Sequence, residues 1–390
     1  MKLSLLYTTI VTLLLMLPTA AWGDVFAVDG IYYYLAGDHA VVSNNGQGNC
    51  YSGDIVIPAS VVYEGAAYPV TNIGESAFYN CSDVTHVSLP KSVNTIGRWA
   101  FAGCRGLSQM TVPDAVTVID ENVFNGCRGL TSITLGKSVT TIRDDAFTDC
   151  SALASITIPK SVASIGDYAF YGCTGIKTLF FNAANCEDPM WYSAFLDCPL
   201  DSIIFGNHVQ HIPAYLAFGQ TRLESIIIPK SVTSIGDYAF WGCSGLMDVI
   251  CLAVTPPTLV GAGLFDDMNY YAHATLHVLP ESVQSYQQAD YWKDFSQIRG
   301  DVVLYTPGDV DADGEITIAD ANKVVVIIIN GGSSGHTHTP DPEGDWINAA
   351  DVNGDGEVNI ADVNAIIDRI LNGDPSSMRH SNNTANNPSF

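Results

Sequence analysis

Two blocks near the carboxyl end carry the residue types and the spacing of cation chemistry. One is Asp309-Val-Asp311-Ala-Asp313-Gly314-Glu315-Ile-Thr317-Ile-Ala-Asp320, and the other is Asp351-Val-Asn353-Gly-Asp355-Gly356-Glu357-Val-Asn359-Ile-Ala-Asp362. Each places side-chain oxygens at about positions 1, 3, 5 and 12, with Gly at 6 for a sharp turn, the spacing by which a twelve-residue loop wraps Ca²⁺. The seventh position supplies a main-chain carbonyl, from Glu315 or Glu357, and the ninth acts through water, near Thr317 or Asn359. Hard oxygens, with no His or Cys in the loop, select Ca²⁺ over Zn²⁺. Two loops predict two ions. The acidity is local: residues 301–373 hold fourteen acidic and two basic residues, a net −12 of the chain's −25.

An apolar helical stretch follows each loop. This duplicated unit resembles a type I dockerin, over residues 307–373. The resemblance implies a small α-helical domain of two loop–helix halves, ordered by Ca²⁺ because the gathered carboxylates repel one another without it. It also implies a cohesin-type partner, contacted at the loop ends and the following helices. The loop ends here are Ile318-Ala319 and Ile360-Ala361. Val326 and Ile327 in the first half correspond to Asp368 and Arg369 in the second. A position that carries charge in one copy is exposed in the other, so Val326 and Ile327 form either a docking spot or a contact with the neighbouring module.

The middle of the chain repeats. Phe78, Phe101, Phe124, Phe147 and Phe170 are 23 apart, and Phe195, Phe218 and Phe240 continue at steps of 25, 23 and 22. Three residues after each stands Cys81, Cys104, Cys127, Cys150, Cys173, Cys198 and Cys243, with Thr221 as the exception. One unit reads Leu130-x-x-Ile133-x-Leu135-x-x-x-Val139-x-x-Ile142-x-x-x-Ala146-Phe147-x-x-Cys150. Ile133 and Leu135 alternate with hydroxyl residues, the pattern of a short half-buried strand. Val139 and Ile142 begin a return path, and the rest suits a tight helical or irregular turn. So short a unit buries its apolar face only by stacking on copies of itself, which makes a solenoid. The pattern resembles the BspA-like bacterial leucine-rich repeat over about residues 70–255. The resemblance implies a mostly β solenoid of short parallel strands, closed by a β-rich cap before it and a second cap after it. The repeat cysteines stack with parallel side chains, a poor disposition for disulfides, and read as buried thiols. Cys50 and Cys186 lie outside that scheme.

Inward residues hold the solenoid together, so recognition falls to outward ones. The central outward position is Ser88, Thr111, Thr134 and Thr157, then Phe180, Ile204, Ile227 and Ile250. A polar row thus becomes apolar halfway along. Either the apolar half binds a partner, or it is covered by the closing cap or by the insertion at 182–189. Trp99, Tyr168 and Tyr238, with Tyr79, Tyr171 and Trp241, form a second candidate surface for sugar or protein.

Composition bounds the rest. The chain of 390 residues is 47% hydrophobic and 15% charged, which suits a packed core. A net charge of −25 argues against nucleic acid and against anionic membrane surfaces. Residues 1–23 read as an export signal ending at Ala21-Trp22-Gly23, with no second stretch of spanning length, so the protein is expected to be secreted or at a bacterial cell surface. The expected layout is signal 1–23, cap 24–70, solenoid 71–255, cap 256–300, dockerin-like domain 301–374 and a disordered tail 375–390. His336 and His338 read as linker. Asp144-Asp145 and Asp266-Asp267 read as solvated acids, since nothing gives them acid–base geometry. No nucleotide fingerprint, nucleophile elbow or zinc-protease motif appears. The chain therefore reads as a non-catalytic binding or adhesion protein whose solenoid takes protein or glycan. The rivals are an accessory part of a polysaccharide-degrading complex and, last, a polysaccharide hydrolase.

Overall fold

The computed structural model describes residues 25–44, 50–189, 192–261, 273–302 and 363–366. The chain divides into two compact units, Met1–Val302 and Val303–Phe390. Residues 1–23, read as an export signal, Asp266-Asp267, His336, His338 and residues 375–390 lie outside the described residues.

The first unit opens with antiparallel hairpins. Phe26–Val28 pairs with Ile31–Ala36, and Ser60–Tyr63 with Ala66–Ile73. Their two-residue turns, Asp29-Gly30 and Glu64-Gly65, have positive φ at both positions, with the glycines at 80° and 82°. That turn matches strand twist, and glycine takes it without a Cβ clash. Ala66–Ile73 then pairs in parallel with Thr95–Ile96, so the cap sheet hands over to the return path of the repeats.

Each repeat is one rung. Its first strand joins a parallel sheet in strict register: Gln109–Thr111 pairs with Ser132–Thr134, Ser155–Ile158 with Thr178–Phe181, and Thr178–Phe181 with Ser202–Phe205. Pro90, Pro113, Pro159 and Pro229 end the strand, since proline has no N–H for the ladder. Each proline carbonyl accepts the N–H three residues on, as Pro159 does from Val162 at 3.1 Å, and so turns the chain back. The return strands are two residues long and also parallel, as in Val118–Ile119, Thr141–Ile142 and Ser164–Ile165. The closing turn is irregular and is stitched to the next rung: Phe78, Phe101, Phe124 and Phe147 donate to Ala100, Val123, Ala146 and Ala169 at 2.7–2.9 Å.

Inside, the phenylalanines stack. Ring centroids lie 5.0 Å apart from Phe78 to Phe101, 5.5 Å to Phe124, 5.2 Å to Phe147, 4.9 Å to Phe170 and 4.8 Å to Phe195. Tyr51 of the cap supplies the ring before them, 4.7 Å from Phe78. The cysteines are free and, Cys50 apart, buried. The thiols of Cys104, Cys127, Cys150 and Cys173 donate at 3.0–3.2 Å to the carbonyls of Phe78, Phe101, Phe124 and Phe147, one rung back. Burial pushes the Cys127 and Cys243 thiols up to about 12 and raises Cys104 and Cys150 as well, so these groups stay neutral.

One repeat departs from the register expected for it. Phe218 is not in the ring stack. Ala217 occupies that position and donates to Ala239 at 2.8 Å, while Phe218 sits half-exposed against Tyr215. The cysteine position falls on Gln220 rather than Thr221. Gln220 is buried, and its amide does the work of the thiol: Nε2 donates to the Phe195 carbonyl at 3.1 Å and Oε1 accepts Leu200 N–H at 3.1 Å. Leu216, buried where most rungs have Ala, offsets part of the lost ring volume.

The strand sheet runs on past the repeats through Asp248–Cys251, Thr275–Val278 and Gln297–Arg299, all parallel. A short helix, Val283–Gln288, covers the last rung. Tyr286 donates to the Ala253 carbonyl at 2.8 Å and Trp292 to that of Pro257 at 3.0 Å, so both buried aromatics are satisfied. Phe147 lies mid-stack with a ring on each side. Phe147→Ala is expected to cost about 3–5 kcal/mol, seen as a lowered melting temperature by circular dichroism.

Candidate functional site

The parallel register carries the outward residues into rows. Thr157, Phe180 and Ile204 are direct partners, as are Ile227, Ile250, His277 and Arg299. Phe180, Ile204 and Ile227 are 37%, 41% and 43% exposed, and Ile250 is half-buried. The insertion at 182–189 leaves these three side chains open, because it feeds the return path: Glu187 N–H donates to the Ala163 carbonyl at 2.7 Å, and Cys186 is buried. A parallel row of Thr178, Ser202, Ser225 and Asp248 borders the apolar one. His277 ends the apolar run, with Nε2 at 3.1 Å from Asp248 Oδ1 and Nδ1 at 2.9 Å from Asp301 Oδ1.

The second face lies at the closing turns. Trp99, Tyr168 and Tyr238 take left-handed backbone, with φ of 59°, 58° and 55°. Bulky residues rarely do so; here the inter-rung hydrogen bonds hold the turn. Tyr168 stacks on Tyr192 at 4.7 Å, and Tyr215 on Tyr238 at 5.4 Å. Tyr171 stands edge-on to Tyr168 in the first pair and Trp241 edge-on to Tyr238 in the second, at interplanar angles of 75° and 82°. Tyr79 and Trp99 make a separate pair. Sequence spacing missed Tyr192, which follows the insertion, and Tyr215, which the misplaced register at Phe218 hid.

A third constellation was also missed. His211 Nε2 lies 2.9 Å from Asp188 Oδ1, and its Nδ1 lies 2.8 Å from Ser234 Oγ. The trio has the composition of a nucleophilic triad, but its geometry is that of a brace. His211 and Ser234 are direct partners in the return ladder, and Asp188 Oδ1 also accepts Ala214 N–H at 2.6 Å. The aspartate thus ties the inserted segment to the next two rungs. Asp144 is used likewise: its Oδ1 accepts Asp167 N–H at 3.0 Å.

The calcium-loop residues Asp309, Asp311, Asp313, Glu315, Asp320, Asp351, Asn353, Asp355, Glu357 and Asp362 lie outside the described residues, as do Ile318, Ala319, Val326, Ile327, Ile360 and Ala361. Of the second unit, residues 363–366 are described. They are helical, and Val363 and Ile366 are buried, one turn apart on one face.

Stacked 23-residue rungs, an inward Phe–Cys ladder and hydroxyl or apolar outward rows define a leucine-rich-repeat solenoid. The chain belongs to the BspA type leucine rich repeat family, whose model matches six copies over residues 69–188 and 189–286. A dockerin type I domain matches residues 307–371, and such domains bind calcium. Among solved structures, a leucine-rich repeat protein from Bacteroides ovatus is 24% identical, with a TM-score of 0.41, over 72% of this chain and 93% of that one. Another, from Bacteroides capillosus, is 30% identical, with a TM-score of 0.28, over 40% of this chain and 97% of that one. None of the curated proteins matches. Among the described residues no helix is long and apolar enough to cross a membrane.

If the Asp188–His211–Ser234 trio is a brace, Asp188→Ala lowers stability by about 1–3 kcal/mol through the unpaired Ala214 N–H. Ser234→Ala is expected to cost under about 1 kcal/mol. Chemical denaturation of the two variants measures both.

Proposed function

We propose that this is a secreted, non-catalytic binding and adhesion protein with two working ends. The solenoid takes a protein ligand on the row Phe180, Ile204, Ile227 and Ile250. The dockerin domain attaches the chain to a cohesin-type partner in the presence of two Ca²⁺ ions. The observation that carries the first half is the change from hydroxyl to exposed apolar residues along the stacked strands, with Thr157 directly beside Phe180. The isoleucines give sugar hydroxyls nothing to bond, whereas covering what remains exposed of Ile204 or Ile227 at a protein interface stabilises it by about 1 kcal/mol each.

The donor set supports the second half. Asp309, Asp311, Asp313 and Asp320 would hold one ion with the Glu315 carbonyl, and Asp351, Asn353, Asp355 and Asp362 the other with that of Glu357. Bound calcium would supply the charge that lets these carboxylates gather. Ile318, Ala319, Ile360 and Ala361 at the loop ends, with Val326 and Ile327, would meet the partner. A second reading, an accessory component of a polysaccharide-degrading complex, draws support from the aromatic turn edge. There Tyr171 and Trp241 each stand edge-on to a stacked tyrosine pair and would offer planar rings to a glycan.

Titration calorimetry of the calcium-stripped full chain is expected to count two Ca²⁺ ions. Asp313→Ala and Asp355→Ala should each leave one. For the solenoid, the full chain is immobilised and exposed to surface proteins with calcium or with chelator. Ile204→Thr with Ile227→Thr, which restores the residue that earlier rungs carry at this position, is expected to leave the melting temperature nearly unchanged and to remove only the calcium-independent partner. Retention of glycans but of no protein would replace the first reading with the second, and sugar release by the purified chain would overturn the non-catalytic assignment.

A further inference from the structure

The cysteine row begins one rung before the repeats do. Gly53 pairs directly with Val84, and Cys50 and Cys81 each stand three residues ahead of that pair. The pairing brings Cys50 beside Cys81 at the edge of the cap. Their setting differs from that of the row inside. Cys104, Cys127, Cys150 and Cys173 each have their own phenylalanine carbonyl one rung back, whereas Cys50 and Cys81 turn on one acceptor, the Tyr79 carbonyl, at 3.7 and 3.9 Å. Both thiols thus lie against the same carbonyl oxygen, and burial pushes the Cys81 thiol up to about 12. Cys50 is exposed, and the other nine cysteines are buried.

We propose that Cys50 and Cys81 are a disulfide-forming pair that fastens the amino-terminal cap to the first repeat. Its use in the organism rests on the secreted location proposed above; the chemistry itself does not. Disulfides persist in oxidising compartments, and a disulfide oxidant such as glutathione disulfide suffices. The Cys50 thiolate attacks the oxidant, expels one glutathione thiolate and is left as a mixed disulfide. Cys81 then loses its proton, attacks the Cys50 sulfur and expels the second glutathione. Two protein thiols lose two protons and two electrons, and the oxidant becomes two thiols. Exposure makes Cys50 the entry point. The raised Cys81 makes closure the slower step, because the thiolate is the nucleophile. The remaining cysteines are buried, which shields them from the oxidant. The bond would close a loop between residues 31 apart, which restricts the unfolded cap.

The test treats the full chain with glutathione disulfide, alkylates it under denaturing conditions and maps peptides by mass spectrometry. The expected product is a Cys50–Cys81 crosslink two hydrogens lighter, with the other eight cysteines alkylated. The oxidised chain should melt about 5 °C or more above the reduced one. Cys81→Ser should stop at a Cys50–glutathione adduct. Cys50→Ser, at an exposed position, should fold and form no disulfide. A lasting glutathione adduct on Cys50 of the unaltered chain, a Cys50 crosslink to any other cysteine, or a disulfide in Cys50→Ser would each overturn the proposal. Because the oxidant is supplied, failure here would leave the secreted location untouched. Success would leave the partner assignments to their own tests.

Discussion

The carbonyl of Phe101 accepts two hydrogen bonds, from Cys104 N–H in its own turn at 3.1 Å and from the Cys127 thiol of the next turn at 3.1 Å. Both lone pairs of a buried acceptor are thereby used, and only one of the two donors comes from its own repeat. The phenylalanine ring has the same dependence, since its faces are covered by the rings before and after it. A single rung therefore leaves polar groups and an aromatic face unsatisfied, and both are costly in an apolar interior. Stacking in register removes that cost, and the sheet, the return ladder and the caps follow from it. The ends need special chemistry for the same reason: Tyr51 supplies the first ring, and Trp292 and Tyr286 close the last rung with their polar atoms bonded to main chain.

Inward positions are held so tightly that variation is left to the outward ones. The strand face changes from Thr111, Thr134 and Thr157 to Phe180, Ile204 and Ile227, and at the change itself Thr157 and Phe180 are direct partners in register. The closing turns vary as freely, with Trp99, Asn122, Asp145, Tyr168, Tyr215 and Tyr238 all in the same left-handed backbone. Two surfaces of different chemistry therefore lie on one scaffold, one aliphatic and one aromatic. Recognition of this kind needs no pocket.

Irregular rungs show how much the ladder tolerates. At Ala217 the ring is missing and Leu216 is enlarged beside it; at Gln220 an amide replaces a thiol and gains a second bond, to Leu200. The inserted segment before Phe195 is tied down by Asp188 through His211 and Ala214. In each place the buried hydrogen-bonding pattern survives while the residues that make it change, as expected if satisfying polar groups constrains the interior more tightly than ring packing does.

The architecture was legible because period and chemistry coincide. Phe and Cys recurring together, three apart every 23 residues, leave a solenoid as the structure that buries both, and the change from Thr to Ile on outward positions can be read before any fold is known. Oxygen donors at loop spacing name a hard cation in the same direct way. Other features were decided by the neighbouring rung. Phe218 had the right identity and nearly the right spacing, yet it is Ala217 that donates to Ala239; a slip of one residue is invisible in a string of letters because the partner lies 22 residues away. The stacking of Tyr192 on Tyr168, the bracing of His211 by Asp188 and the meeting of Cys50 with Cys81 were hidden for the same reason. By itself the sequence determined which residues face inward in every rung but the one at Ala217, because apolar periodicity is a local property. Which groups touch was left to the tertiary structure, because contact in a solenoid runs across rungs, between residues that chain order keeps twenty or more positions apart.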